Sequence, residues 1–186
     1  MSERSALNLS KRVSLNLDVR GLKQSATLAI NDRSRELQSE GRTVYRLGLG
    51  QSPFPVPTVV VDALKANAHE KHYLPAKGHP ELRRAVAEFH RRKDGVHADR
   101  ENVLIGPGSK ELMFLLQLVY YGELLLPTPC WVSYVPQAQI LGRKVSLIHT
   151  TFEEKWHITA ERLRQHCESQ GDRYRPRILI LNYPGN

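Results

Sequence analysis

Cysteine is scarce. Cys130 and Cys167 are the two in 186 residues, too few for a disulfide framework, so a reduced cytoplasmic protein is the expectation. Long apolar runs are missing as well. The longest, Leu112 to Tyr121, is broken by Gln117 and reaches about half of the ~20 residues that a membrane helix needs. The first twenty residues alternate polar and apolar without a hydrophobic block, which argues against a secretory signal. Acidic residues are outnumbered, 19 against 27 basic ones, for a net charge of +8 and an isoelectric point near 9.7. Such a surface attracts anions. The densest basic patch, however, is Arg83, Arg84, Arg91, Arg92 and Lys93, interleaved with Glu81, Glu88 and Asp94 on one predicted helix. No C-x-x-C finger, zipper or aromatic ribonucleoprotein signature accompanies it. The patch reads as a solvated helix face, and neither nucleic acid nor membrane is expected as a partner. His69 and His72 lie three apart, but no Cys or carboxylate completes a ligand spacing, so no metal site is expected.

What is present is an ordinary globular composition, 40% hydrophobic and 25% charged, which excludes a low-complexity or disordered chain. The length suits one domain with an appended segment and suffices for a buried core. A polar helical stretch follows Ser25-Ala-Thr-Leu-Ala-Ile-Asn31 and ends near Gly41. Gly48-Leu-Gly50-Gln-Ser-Pro-Phe-Pro-Val-Pro57 is an irregular loop, because its three prolines fix the backbone and remove donors. Helices are predicted over 58–70, with Val60, Ala63, Leu64 and Ala68 on one side, and over 80–93, with Leu82, Val86 and Phe89 as the buried stripe. Val103-Leu-Ile105 reads as a strand. A helix over 109–121, apolar almost all round, is expected to be buried, with Ser109 able to cap it. Strands at 124–126, 145–148 and 178–181 alternate with helices at 134–141 and 159–166. Short continuous apolar runs spaced by helices indicate an α/β fold, a parallel sheet covered on both faces.

Three local signals carry chemistry. Strand, Gly106-Pro-Gly-Ser-Lys110, helix is a turn that lets an anion approach a helix start, where amide donors and the helix dipole converge. The Walker spacing is absent, so the turn is either a phosphate site or a plain tight turn. Pro127-Thr-Pro-Cys-Trp-Val-Ser-Tyr134 follows the next strand. Its Trp131 either stacks on a planar ring or belongs to the core, and Cys130 has no identifiable histidine–acid partner that would make it a nucleophile. Leu181-Asn-Tyr-Pro-Gly-Asn186 places amide side chains at a strand end, where they can orient a ligand or close a turn.

Together these pieces resemble the class I aminotransferases, pyridoxal-phosphate enzymes of the aspartate aminotransferase fold. The resemblance runs in order along almost the entire chain. The 25–31 segment resembles Ser-Ala-Thr-x-x-x-Asn, and 48–57 resembles the Gly-Glu-Pro-Asp-Phe loop. Tyr73-Leu-Pro-Ala-Lys-Gly-His-Pro-Glu-Leu-Arg83 is similar to Tyr-x-x-x-x-Gly-x-Pro-Glu-Leu-Arg. Gly108-Ser-Lys110 stands where the family has its phosphate-binding Gly-Gly-Lys. Trp131-Val-Ser-Tyr134 matches Trp-Val-Ser-Tyr, and 182–186 looks like the start of Asn-x-Pro-x-Asn-Pro-Thr-Gly.

The resemblance implies a partial three-layer α/β/α large domain with a mostly parallel sheet. Residues 58–186 would be its first part, and 1–57 an amino-terminal arm and small-domain segment with a substrate loop. It implies pyridoxal 5′-phosphate as cofactor. Gly108, Ser109 and Lys110 would hold its phosphate, Trp131 would stack on its ring and Asn186 would bond its phenolic oxygen. Tyr73 would reach the phosphate of a neighbouring subunit, which implies a homodimer, and Gly50 would lie beside the substrate carboxylate. The substrates would be an amino acid and a 2-oxo acid. Two departures stand out: Gly50-Gln-Ser-Pro-Phe54 loses both acids of the family loop, and the 120–127 connection is shorter than usual. The family's Schiff-base lysine would fall beyond Asn186, so no catalytic residue is assigned within these residues, and the chain alone is expected to be inactive. A lyase or decarboxylase of the same fold and a non-catalytic homologue acting through partner binding are the alternatives.

Overall fold

The computed structural model describes residues 14–48, 50–171 and 174–184. They form two compact units: 26–116, and the segments up to 25 together with those from 117 onward. Asn186 lies outside the described residues.

The 26–116 unit carries α1 (Ala26–Ser39), α2 (Thr58–Asn67), α3 (Pro80–Asp94) and most of α4 (Ser109–Val119). The ends of α3 follow from its residues. Pro80 opens it, the His79 ring accepts the Glu81 N–H at 3.2 Å, and Gly95 closes it in the left-handed region at φ +67°. Arg91, Arg92 and Lys93 fill the last turn, where the dipole favours cations.

The burial pattern corrects the sequence reading. In α3 the buried residues are Arg83 and Ala87; Val86 is half-buried, and Leu82 and Phe89 are exposed. Val60 and Leu64 of α2 are exposed, and in α4 only Gln117 is buried. Periodicity marks which face is apolar, but burial requires a surface to pack against. Val103–Ile105 is likewise assigned to no strand among the described residues. A strand exists only when a neighbour completes its ladder. Here the Ile105 N–H instead donates to the Lys77 carbonyl at 3.0 Å.

In the other unit, β1 (Glu123–Thr128), α5 (Tyr134–Ile140), β2 (Val145–His149), α6 (Ala160–Ser169) and β3 (Arg177–Leu179) follow the predicted α/β alternation. The sheet is parallel in the order β2-β1-β3, with Leu124 opposite Val145 on one side and Ile178 on the other. The chain leaves β1 in one direction and returns past it in the other, so right-handed crossovers place α5 and α6 on opposite faces. β1 is accordingly the core: Leu124, Leu125 and Leu126 are buried on both sides, joined by Tyr134, Ala138 and Ile148. Each fully buried leucine contributes about 1.5–3 kcal/mol.

Just before β1, Gly122 sits at φ +143°, and a Cβ there would lie 2.6 Å from the Pro176 carbonyl oxygen. Only glycine lets the chain enter the β1–β3 pairing so closely. Thr159 caps α6 rather than belonging to it, its hydroxyl accepting the Arg162 N–H at 3.2 Å.

Candidate functional site

The glycine turn opens α4. Gly106 approaches Leu112 so closely that a Cβ would come within 2.6 Å of its side chain. The first helical hydrogen bond runs from the Leu112 N–H to the Gly108 carbonyl at 3.2 Å. The cap position therefore falls on Gly108, and Ser109 is the first residue of the helix. Gly108 adopts φ +133°, and nothing lies within 4 Å of where its Cβ would be. Gly108, Ser109, Lys110 and Glu111 are exposed, so the first turn of α4 presents its helix-start amide donors together with a hydroxyl-bearing and a basic residue. That is the donor chemistry a phosphate requires.

Tyr73 is fully exposed, and Gly50 lies on an exposed loop of the same unit. The 73–80 run is docked onto the segment that leads into the glycine turn. Lys77 accepts the Ile105 amide, and Gly78 lies against the Ile105 side chain, which a Cβ would meet at 2.5 Å.

In the sheet unit, a cleft of about 400 Å³ opens beyond the carboxyl ends of β1 and β3. This is where ligands of parallel α/β sheets bind. Cys130, Tyr134, Lys155, Trp156, Asn182 and Tyr183 are among its lining residues. Trp131 follows Cys130 in sequence and is not among the residues that line the cleft. It is half-buried and meets Tyr134 edge-to-face at 5.4 Å between ring centres, so it is not a fully buried core residue. Burial pushes the Cys130 thiol above its usual range, which disfavours the thiolate a nucleophile needs. Burial also raises the Tyr134 phenol, with Cys130 adding to the effect.

The loop after β2 contributes a wall that sequence reasoning missed. Lys155 and Trp156 take positive φ values of 51° and 60°. The Trp156 N–H is tied to the Thr151 carbonyl at 3.0 Å. Glu154 holds the loop by accepting the Thr151 N–H at 3.0 Å and the Arg162 guanidinium at 2.6 Å. The Arg162 hydrogen bond, the larger influence, keeps the Glu154 carboxyl below the usual carboxylate range. The loop then meets the end of the sheet: the Ile158 N–H donates to the Tyr183 hydroxyl at 3.1 Å, and His157 packs edge-on against the Tyr183 ring. No spacing in the sequence announces this loop, because its backbone turn is made by non-glycine residues.

Among the described residues no group of three or more His, Cys, Asp or Glu side chains could hold a metal ion. Among them, too, no helix is long and apolar enough to cross a membrane.

A glycine-opened helix start and a cleft at the carboxyl ends of parallel strands are each places where α/β proteins bind ligands. The family is identified by comparison: the model for class I and II aminotransferases matches residues 42–186. The chain belongs to that family. It is 29% identical to an aspartate aminotransferase of Bacillus subtilis over 97% of this chain and 44% of that protein. It is 33% identical to an aspartate/prephenate aminotransferase of Thermus thermophilus over 92% of this chain and 45% of that one. Its structure matches the aspartate aminotransferase of Thermus thermophilus solved with maleate, with a TM-score of 0.82 and 30% identity, over 94% of this chain and 46% of that one. The aspartate aminotransferase of Rhizobium meliloti also matches with a TM-score of 0.82, at 27% identity. The chain thus spans about 44% of the length of the first of these curated relatives.

Proposed function

We propose that this chain is the amino-terminal portion of a pyridoxal-phosphate-dependent aminotransferase that moves an amino group from an amino acid to a 2-oxo acid. The observation that supports the reading is the exposed first turn of α4 after Gly108, the turn that by resemblance corresponds to the family's phosphate-binding Gly-Gly-Lys. The amides at the helix start, the Ser109 hydroxyl and Lys110 would bind and orient that phosphate. Trp131 would supply a flat apolar surface for the ring, and Asn186 a hydrogen bond to the ring's oxygen. When bound, the cofactor supplies the electron sink that stabilises charge at the substrate's α carbon. This chain's share of the work is to fix that group at one end and along one face.

Tyr73, fully exposed, is suited to reach a second subunit's phosphate, and Gly50 would leave room for a substrate carboxylate. A cytoplasmic homodimer with the 1–57 and 58–186 division fits these roles. The names of the relatives, aspartate aminotransferase and aspartate/prephenate aminotransferase, favour aspartate as the donor to test first. The 186 residues by themselves are read as inactive, because the resemblance places no Schiff-base lysine among them.

The test is made on the full-length protein that carries this sequence. It should form oxaloacetate from aspartate only when a 2-oxo acid acceptor is present. Pyruvate and ammonia released from serine without an acceptor, with the β-hydroxyl leaving as water, would indicate elimination instead; alanine and carbon dioxide from aspartate would indicate decarboxylation, and no turnover with bound cofactor would favour a silent homologue.

A further inference from the structure

Among the described residues of the 26–116 unit, the buried ones are Gly78, Arg83 and Ala87. A guanidinium at the centre of a unit demands partners, because an unpaired buried charge is costly. Arg83 finds them all on the segment that leads to the glycine turn. Its Nε donates to the Val103 carbonyl at 2.9 Å, and its Nη2 to the Arg100 carbonyl at 2.6 Å and to Glu101 Oε2 at 3.1 Å. Lys77 Nζ donates to the same Glu101 oxygen at 3.0 Å, while the Lys77 carbonyl takes the Ile105 N–H. Val103–Ile105 has no ladder among the described residues, so Arg83 and Lys77 supply backbone partners that a neighbouring strand would otherwise give.

The contacts then continue without a gap toward the turn. Ile105 abuts Gly78, and Gly106 abuts Leu112 of α4, each too closely to admit a Cβ. The fork of Arg83, planar and always charged, holds two carbonyls and a carboxylate in fixed directions, which a lysine cannot reproduce.

We infer that Arg83, braced by Glu101 and Lys77, is the positioning residue of the Gly108–Lys110 turn, setting where the first amides of α4 meet a phosphate. The inference rests on the reading of that turn as the phosphate site. It predicts a loss confined to the phosphate end of the cofactor.

The experiment compares the affinity of the full-length protein for pyridoxal 5′-phosphate with that for pyridoxal, which lacks the phosphate, by absorbance titration. The variants are Arg83→Lys and Glu101→Gln. For Arg83→Lys we expect phosphate-ester affinity to fall about tenfold or more while pyridoxal affinity holds within about twofold. For Glu101→Gln, at a half-exposed site that should not endanger folding, the fall is about threefold to fivefold with the same selectivity. If Arg83→Lys does not fold, Glu101→Gln decides alone. A native protein that prefers the phosphate ester, with variants that keep the full preference or lose both ligands equally, overturns the inference and leaves the phosphate reading standing. A native protein that binds both ligands alike overturns the phosphate reading and the inference with it.

Discussion

Glu123 opens β1 with its side chain closed to solvent, at the amino ends of the strands, away from the cleft beyond their carboxyl ends. Burial works to raise its carboxyl. The Ser146 hydroxyl and the Lys144 ammonium at 3.1 Å outweigh it, and the net direction is down. A carboxylate whose folded value is lowered stabilises the fold above its unfolded value, about 4.3. That contribution disappears as pH falls through the lower, folded value. Replacing Glu123 with Gln should therefore lower stability at neutral pH by about 1–3 kcal/mol. It should also flatten the loss of stability below about pH 4.3. Denaturant midpoints of the full-length protein measured across pH check this; parallel profiles for the two proteins would refute it. None of this was legible beforehand, since Glu123 reads in sequence as an unremarkable polar residue before an apolar run.

At the scale of elements, the end of α4 shows how a helix is finished from a distance. The Arg143 guanidinium, on the turn between α5 and β2, donates to the carbonyls of Gln117, Tyr120 and Gly122. Those carbonyls include ones the helix cannot satisfy itself, and a cation suits the negative end of the dipole. Arg143→Met keeps the length and removes the donors, so it should cost about 1–3 kcal/mol. Amide exchange should quicken in the last turn of α4 and at the start of β1. Unchanged exchange there would show that the clamp is incidental. The existence of α4, β1 and β2 was readable from apolar runs and turn residues, and their boundaries fell within a few positions. Arg143 was not, because its partners lie more than twenty residues away in sequence.

At the scale of the whole molecule, the pattern of exposed apolar residues dominates. Leu115, Leu116, Leu118 and Val119 of α4 and Val59, Val60 and Leu64 of α2 face solvent. Monomeric proteins rarely leave apolar surface of this kind uncovered, and uncovered strands and helices promote association. Surfaces of this kind mark places where an apolar partner surface would pack. Purified on their own, the 186 residues should bind a hydrophobic dye strongly and sediment as a mixture of associated species. A soluble monomer with one cooperative unfolding transition would contradict this.

The sequence alone determined the order of strands and helices, the parallel α/β class and the ordered motifs that resemble the family. Each rests on residues near one another in the chain: proline and glycine at turns, continuous apolar runs, a helix start after a glycine pair. Tertiary structure alone decided burial. Arg83, read as part of a solvated basic face, is the buried hub of its unit, and the apolar α4, read as core, is exposed along most of its length. The reason is physical: periodicity fixes which side chains share a face, whereas burial depends on what that face meets.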